Sequence, residues 1–149
     1  MITELGYLCR LRGIETLRLT EAQGTTEGLR TNRRKRSRDS LVEWPPRLRS
    51  AWDTAIARRE AIIERHSLPV QMRADQRYLF LAEHGEPLQK TGLDSTWQRF
   101  IQLAISSGVI VAEERFSLHN LKRKGARHCR QSRRPPRCAR YYRRDDEDL

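Results

Sequence analysis

The sequence predicts an α+β fold, helices joined to a small antiparallel β-hairpin. Three observations carry this. Apolar residues recur at helical spacing in two stretches, between positions 48 and 63 and between positions 97 and 105. A short apolar run, Leu41, Val42 and Trp44, follows a dense basic run, as in a hairpin with a charged tip. The length of 149 residues fits one domain.

The elements follow in order. Residues 5–12 are apolar from the outset and read as a helix whose earlier part is missing. Leu17 and Leu19 flank Arg18 as a short strand or the end of a helical turn, and Gly24 and Gly28 mark turns. Residues 29–44 form the hairpin. Pro45-Pro46 ends its second strand and opens a helix, because proline is tolerated in a first helical turn. Leu48, Trp52, Ala55, Ile56, Ile62 and Ile63 give that helix its apolar stripe, and His66-Ser67-Leu68-Pro69 closes it. Tyr78-Leu79-Phe80-Leu81 reads as a buried strand and His84-Gly85-Glu86-Pro87 as a turn. Asp94 or Ser95 can cap a further helix carrying Trp97, Phe100, Ile101, Ala104 and Ile105 on one face, with Gly108 at its end. Trp44, Trp52, Trp97 and Phe100 are expected in the core, and His66, His84 and His128 in solvent. Residues 118–124 start a last helix, with His119 near its N-terminus.

Composition changes near Gly125. Between positions 126 and 144 there is no Leu, Ile, Val, Phe or Met, and arginines dominate. Such a stretch buries too little apolar area to offset its ordering entropy, so residues 126–149 are expected to be a disordered tail beside a unit at 1–125. Arg, Pro, Ala and Cys in bulk are also what GC-rich codons yield when the frame slips, so the tail reads as an out-of-frame product.

Thirty Lys plus Arg against 19 Asp plus Glu give a net charge of +11. That excess calls for a polyanionic partner, with double-stranded DNA the default, since Lys and Arg neutralise phosphates and release condensed counterions. The sequence contains no long apolar run and does not open with a basic signal region, so no membrane partner and a cytoplasmic location are expected. Cys9, Cys129 and Cys138 form no CxxC pair and are expected to be thiols rather than metal ligands or disulfides. Neither metal nor cofactor is expected.

Three motifs point to chemistry. The first is Arg12-Gly13-Ile14-Glu15 before Leu17-Arg18-Leu19. The second is the hairpin run Asn32-Arg33-Arg34-Lys35-Arg36-Ser37-Arg38. The third is Phe116-Ser117-Leu118-His119-Asn120-Leu121-Lys122-Arg123. In that order, over roughly residues 5–125, they resemble the first catalytic-arginine motif, the hairpin lysine and the His-x-x-Arg box of the tyrosine recombinases, the phage-integrase family. The resemblance implies a mainly α catalytic domain with a small hairpin or three-stranded sheet at one edge. It implies an ancestral activity of DNA cleavage and rejoining through a 3′-phosphotyrosine, serving integration or excision of a mobile element, and other integrase protomers as partners. By resemblance Arg12 binds the scissile phosphate, His119 assists proton transfer, Lys35 is the general acid for the departing 5′ oxygen, and Glu15 orients the Arg12 region. Arg33, Arg34, Arg36 and Arg38 contact DNA. The chemistry suits these groups. A guanidinium meets two phosphate oxygens at once, an imidazole donates one more hydrogen bond, and no metal is required.

Two departures limit what the resemblance carries. The second catalytic arginine aligns with Lys122, while Arg123 stands one residue later, about 100° around a helix. Lysine remains a point charge but lacks the bidentate fork. The family's nucleophilic tyrosine should follow on later helices, and here only Tyr141 and Tyr142 follow, amid arginines and closer to His119 than the pattern allows. The chain also begins almost at the first motif, without the family's DNA-clamping domain. It is therefore expected to be a catalytic-domain fragment, inactive alone. Taken singly, Arg12 is an ordinary surface charge, the basic run a generic nucleic-acid patch and His119 a capping residue. Their order outweighs those readings. The rivals are a small basic non-catalytic nucleic-acid-binding protein and a regulatory fragment that binds a full-length integrase.

Overall fold

The structure, a computed structural model, describes residues 1–31 and 40–120, together with Arg123 and the backbone of Arg140 and Tyr141. The order is α1 (Ile2–Leu8), α2 (Gly13–Leu17), β1 (Gly28–Thr31), β2 (Ser40–Glu43), α3 (Pro46–Arg65), α4 (Lys90–Ser106) and β3 (Arg140–Tyr141). Single 3-10 turns lie at Glu21–Gln23, Ala74–Gln76 and Ala112–Glu114. The α+β architecture is the one the sequence predicts.

The sheet is antiparallel in the order β1-β2-β3. Leu29 faces Val42 and Thr31 faces Ser40 in the hairpin, and Ser40 pairs in turn with Tyr141. Thr31 and Ser40 are buried, and their hydroxyls share a 2.7 Å hydrogen bond that compensates their burial. At Gly28 a Cβ would press into the Val42 carbonyl, 2.8 Å from its carbon, so only glycine lets the strands approach here.

The core lies between α1, the hairpin and α3. Leu48, Ala51, Trp52, Ala55, Arg59 and Ile62 form the buried stripe of α3, and Leu5, Cys9, Leu11, Leu29 and Val42 pack with it. Trp44 lies over Trp52, ring centroids 5.6 Å apart, and its indole N–H donates to the Thr25 carbonyl at 2.8 Å.

The C-terminal ends of α1, α3 and α4 share one solution. After α1, Arg10 takes φ 55°, its N–H bonds to Tyr7 O, and Leu11 N–H bonds to Gly6 O at 2.9 Å. After α3, Ser67 (φ 48°) bonds to Glu64 O and Leu68 N–H to Ile63 O. After α4, Gly108 (φ 67°) bonds to Ile105 O and Val109 N–H to Ala104 O. Each is a Schellman closure with one left-handed residue, a conformation that costs a side chain about 1–2 kcal/mol and glycine almost nothing.

The structure corrects several expectations. Tyr78-Leu79-Phe80-Leu81 is buried at its last three residues but makes only isolated bridges, Thr20 with Tyr78 and Leu81 with Pro87, rather than a strand. Without a neighbour running alongside, the backbone groups are met by single bonds such as Leu79 N–H to Leu19 O. Helix α4 starts at Lys90, with Gln89 as its N-cap, about one and a half turns before Asp94 or Ser95; Lys90 pairs with Asp94 along the helix. Phe100 is 55% exposed and outside the core, because only the Leu93, Trp97 and Ile101 stripe of α4 is covered. Helix α1 ends at Leu8 rather than running to Arg12. Of the two readings of Leu17 and Leu19, the helical one holds: α2 ends at Leu17, and Leu19 follows it two residues on. Strand β3 falls within the stretch expected to lack structure; the remainder of that stretch lies outside the described residues. His66 and His84 are exposed as expected. No described helix is long and apolar enough to cross a membrane.

Candidate phosphate-binding site

The Schellman turn after α1 reverses the chain and delivers Arg12 to the N-cap of α2 in extended conformation, φ −73° and ψ 155°. Glu15, at the third helical position, returns its carboxylate to the Arg12 backbone N–H at 2.7 Å. That bond satisfies one of the donors a helix start leaves open. Thr16 is buried and donates its hydroxyl to the Arg12 carbonyl at 3.1 Å. The backbone at Arg12 is thus held from both sides. Its guanidinium lies 3.8 Å from the buried Glu15 carboxylate, while about half of the side chain, 49%, remains open to solvent. Glu15 and Thr16 therefore fix the Arg12 backbone, and the Arg12 side chain stays half exposed.

The His119 segment comes from the far end of the described chain. Trp97 of α4 fixes it: the indole N–H donates to the Phe116 carbonyl at 3.2 Å, and the Trp97 and Phe116 rings meet edge to face at 5.4 Å. A helical turn then begins at Leu118. Leu118 packs beside α2, since a Cβ on Gly13 would lie 3.7 Å from Leu93 Cδ2 and 4.0 Å from Leu118 Cδ1. Gly6, Gly13, Thr16, Leu93 and Leu118 enclose a gap of only about 10 Å³, so α1, α2, α4 and the Leu118 turn close on one another. The residue after Arg12 and the residue before His119 are therefore neighbours. His119 and Arg123 are both exposed.

Arg33, Arg34, Lys35, Arg36, Arg38, Lys122 and Tyr142 lie outside the described residues. Tyr141 is described in its backbone only, paired with Ser40 at the edge of the sheet.

Sequence reasoning missed one contributor to this site and one charged cluster apart from it. Trp97 reads as a core residue, yet its N–H anchors the segment that carries His119. An ion-pair cluster also stands on α3. Arg59 Nη1 donates to Glu21 at 2.9 Å, and Arg77 Nη1 reaches both Glu21 oxygens at 3.3 and 3.2 Å. Burial pushes the Glu21 carboxyl up, but the hydrogen bonds and charges of Arg59 and Arg77 more than reverse this and hold it below its ordinary value. The signal was available: Arg59 occupies a position on the apolar stripe of α3, where a charge needs a partner.

Compared with protein-family models, curated proteins and solved structures, the chain matches none of them.

Proposed function

We propose that this chain is a DNA-binding protein of tyrosine-recombinase type. In this reading Arg12 and His119 hold a backbone phosphate, and the chain does not complete strand cleavage. The observation that supports it best is the packing of Leu118 beside Gly13. Two motifs from opposite ends of the described chain lie next to each other, as a shared phosphate site requires. Arg12 would meet the phosphate oxygens with its planar fork and His119 would donate a further hydrogen bond. Lys122 or Arg123 would add a second cation, and Lys35 on the hairpin would face the 5′ oxygen. Arg33, Arg34, Arg36 and Arg38 would track the neighbouring backbone. The net charge of +11 supports the same partner. It equally suits a basic protein without catalytic ancestry, and Arg12 separates the two.

The test is fluorescence anisotropy of a labelled duplex at low and moderate salt. Binding should be sequence-independent, should fall steeply with salt, and should weaken on Arg12→Ala and on removal of residues 126–149. Binding that ignores salt refutes the reading, and binding indifferent to Arg12→Ala favours the non-catalytic one. A nicked suicide substrate should trap no covalent adduct. An adduct that vanishes in Tyr141→Phe or Tyr142→Phe would overturn the inactivity.

A further inference from the structure

A second site lies away from Arg12, between the C-terminal half of α3 and the chain from Leu68 to Pro87. It is an open cleft of about 430 Å³. Ile63, Leu68, Pro69, Tyr78 and Pro87 give it apolar walls, and Arg59 and Arg77 also line it. The two arginines differ. Arg77 is spent on the fold: besides Glu21 it donates to the carbonyls of Gln71 and Met72 at 2.7 and 2.8 Å. Arg59 is not. Its side chain is 7% exposed, yet among the described residues its Nη1–Glu21 bond is its one hydrogen bond. A guanidinium presents a whole fork of donors, and donors left unmet at such burial are costly. A space this size beside them can take an acceptor.

We propose that this cleft binds a small monocarboxylate with an apolar body, its carboxylate on Arg59 and its body against Leu68, Pro69, Tyr78 and Pro87. Two guanidinium groups share the single Glu21 carboxylate, so Arg59 keeps donors that Glu21 does not meet. An exposed carboxylate, Glu86, also lines the cleft. It disfavours a polyanion such as a DNA backbone, so the ligand's one carboxylate must sit at the Arg59 end, with the uncharged body toward the rest of the cleft. Apolar walls with a few convergent polar groups are the usual composition of a small-molecule site. This site is independent of the phosphate site at Arg12.

The probe is 4-phenylbutyrate, titrated into the full chain while the Arg59 Nε–H and Tyr78 amide signals are followed by NMR. Both signals should move together and saturate, with Kd on the order of 1 mM or tighter. The neutral isostere 4-phenylbutanol should bind at least tenfold more weakly. Arg59→Lys keeps a cation opposite Glu21 but loses the fork, and should weaken binding at least tenfold. Gln76→Trp, an exposed position on the lining, should block binding without changing the thermal unfolding midpoint, which guards against a variant that merely unfolds. Labelled duplex DNA should not displace the probe. The proposal is overturned if no saturation occurs in the millimolar range, if the alcohol or inorganic phosphate binds as well as the acid, if Gln76→Trp binds unchanged, or if DNA competes.

Discussion

Replacing Glu21 by Gln removes the charge that two arginines share while keeping the side chain's size. Breaking a fully buried pair in this way costs about 3–5 kcal/mol, because the remaining charge stays buried without compensation. The Arg59 side chain is that deeply placed, at 7% exposure, but Glu21 is 36% exposed, so water screens one side of the pair. We therefore expect a loss of roughly 2–3 kcal/mol. For a chain of this size that lowers Tm by about 6–9 °C. Urea unfolding followed by circular dichroism measures it. The loss should depend on pH with a defined sign. The folded carboxyl titrates below its unfolded value, so its stabilisation is present above the unfolded value and lost as pH falls through the folded one. The gap between wild type and Glu21→Gln therefore closes as pH drops below about 4. A variant within about 0.5 kcal/mol of wild type at neutral pH would refute the reasoning, since that is the range of an ordinary surface substitution.

Three further outcomes follow from the fold. Gly28→Ala forces a methyl group into the Val42 carbonyl and should cost about 2–3 kcal/mol in urea unfolding, whereas Gly13→Ala, with ordinary contacts to Leu93 and Leu118, should be neutral or stabilising. The left-handed helix ends should respond in opposite senses by thermal unfolding: Gly108→Ala loses about 1 kcal/mol, and Ser67→Gly gains up to about that much. Trp97→Phe keeps an aromatic ring but loses the bond to Phe116 O and part of the buried indole, and should cost about 1–3 kcal/mol and speed amide exchange in residues 116–120.

Much of the architecture was legible because its causes are local. The stripe on α3 alternates at i+3 and i+4, Pro45-Pro46 sets its start, and Gly108 closes α4 through a conformation glycine adopts freely. What could not be read depended on distant partners. Tyr78-Leu79-Phe80-Leu81 has the composition of a strand, but a strand needs a ladder, and Leu19 and Pro87 offer single bonds only. Phe100 has core character and helical spacing, yet nothing among the described residues covers that face of α4. At the site, Arg12 and Glu15 were legible as a spacing, since a carboxylate three residues on can reach back to the helix start. That the Arg12 and His119 motifs share a site was expected from the resemblance alone; the packing that brings the Leu118 turn to Gly13 was not legible, because it runs through Leu93 and Trp97 of a helix between them in sequence.

The central claim is that Arg12 and His119 serve one phosphate. It is tested most directly by titrating a thymidine dinucleotide, with its single phosphodiester, into isotope-labelled protein and following the Arg12 Nε–H and the His119 ring by NMR. The account predicts that both signals move with one common Kd and that Arg12→Ala removes most of the His119 shift. Two different dissociation constants, or a His119 shift that survives Arg12→Ala intact, would contradict it.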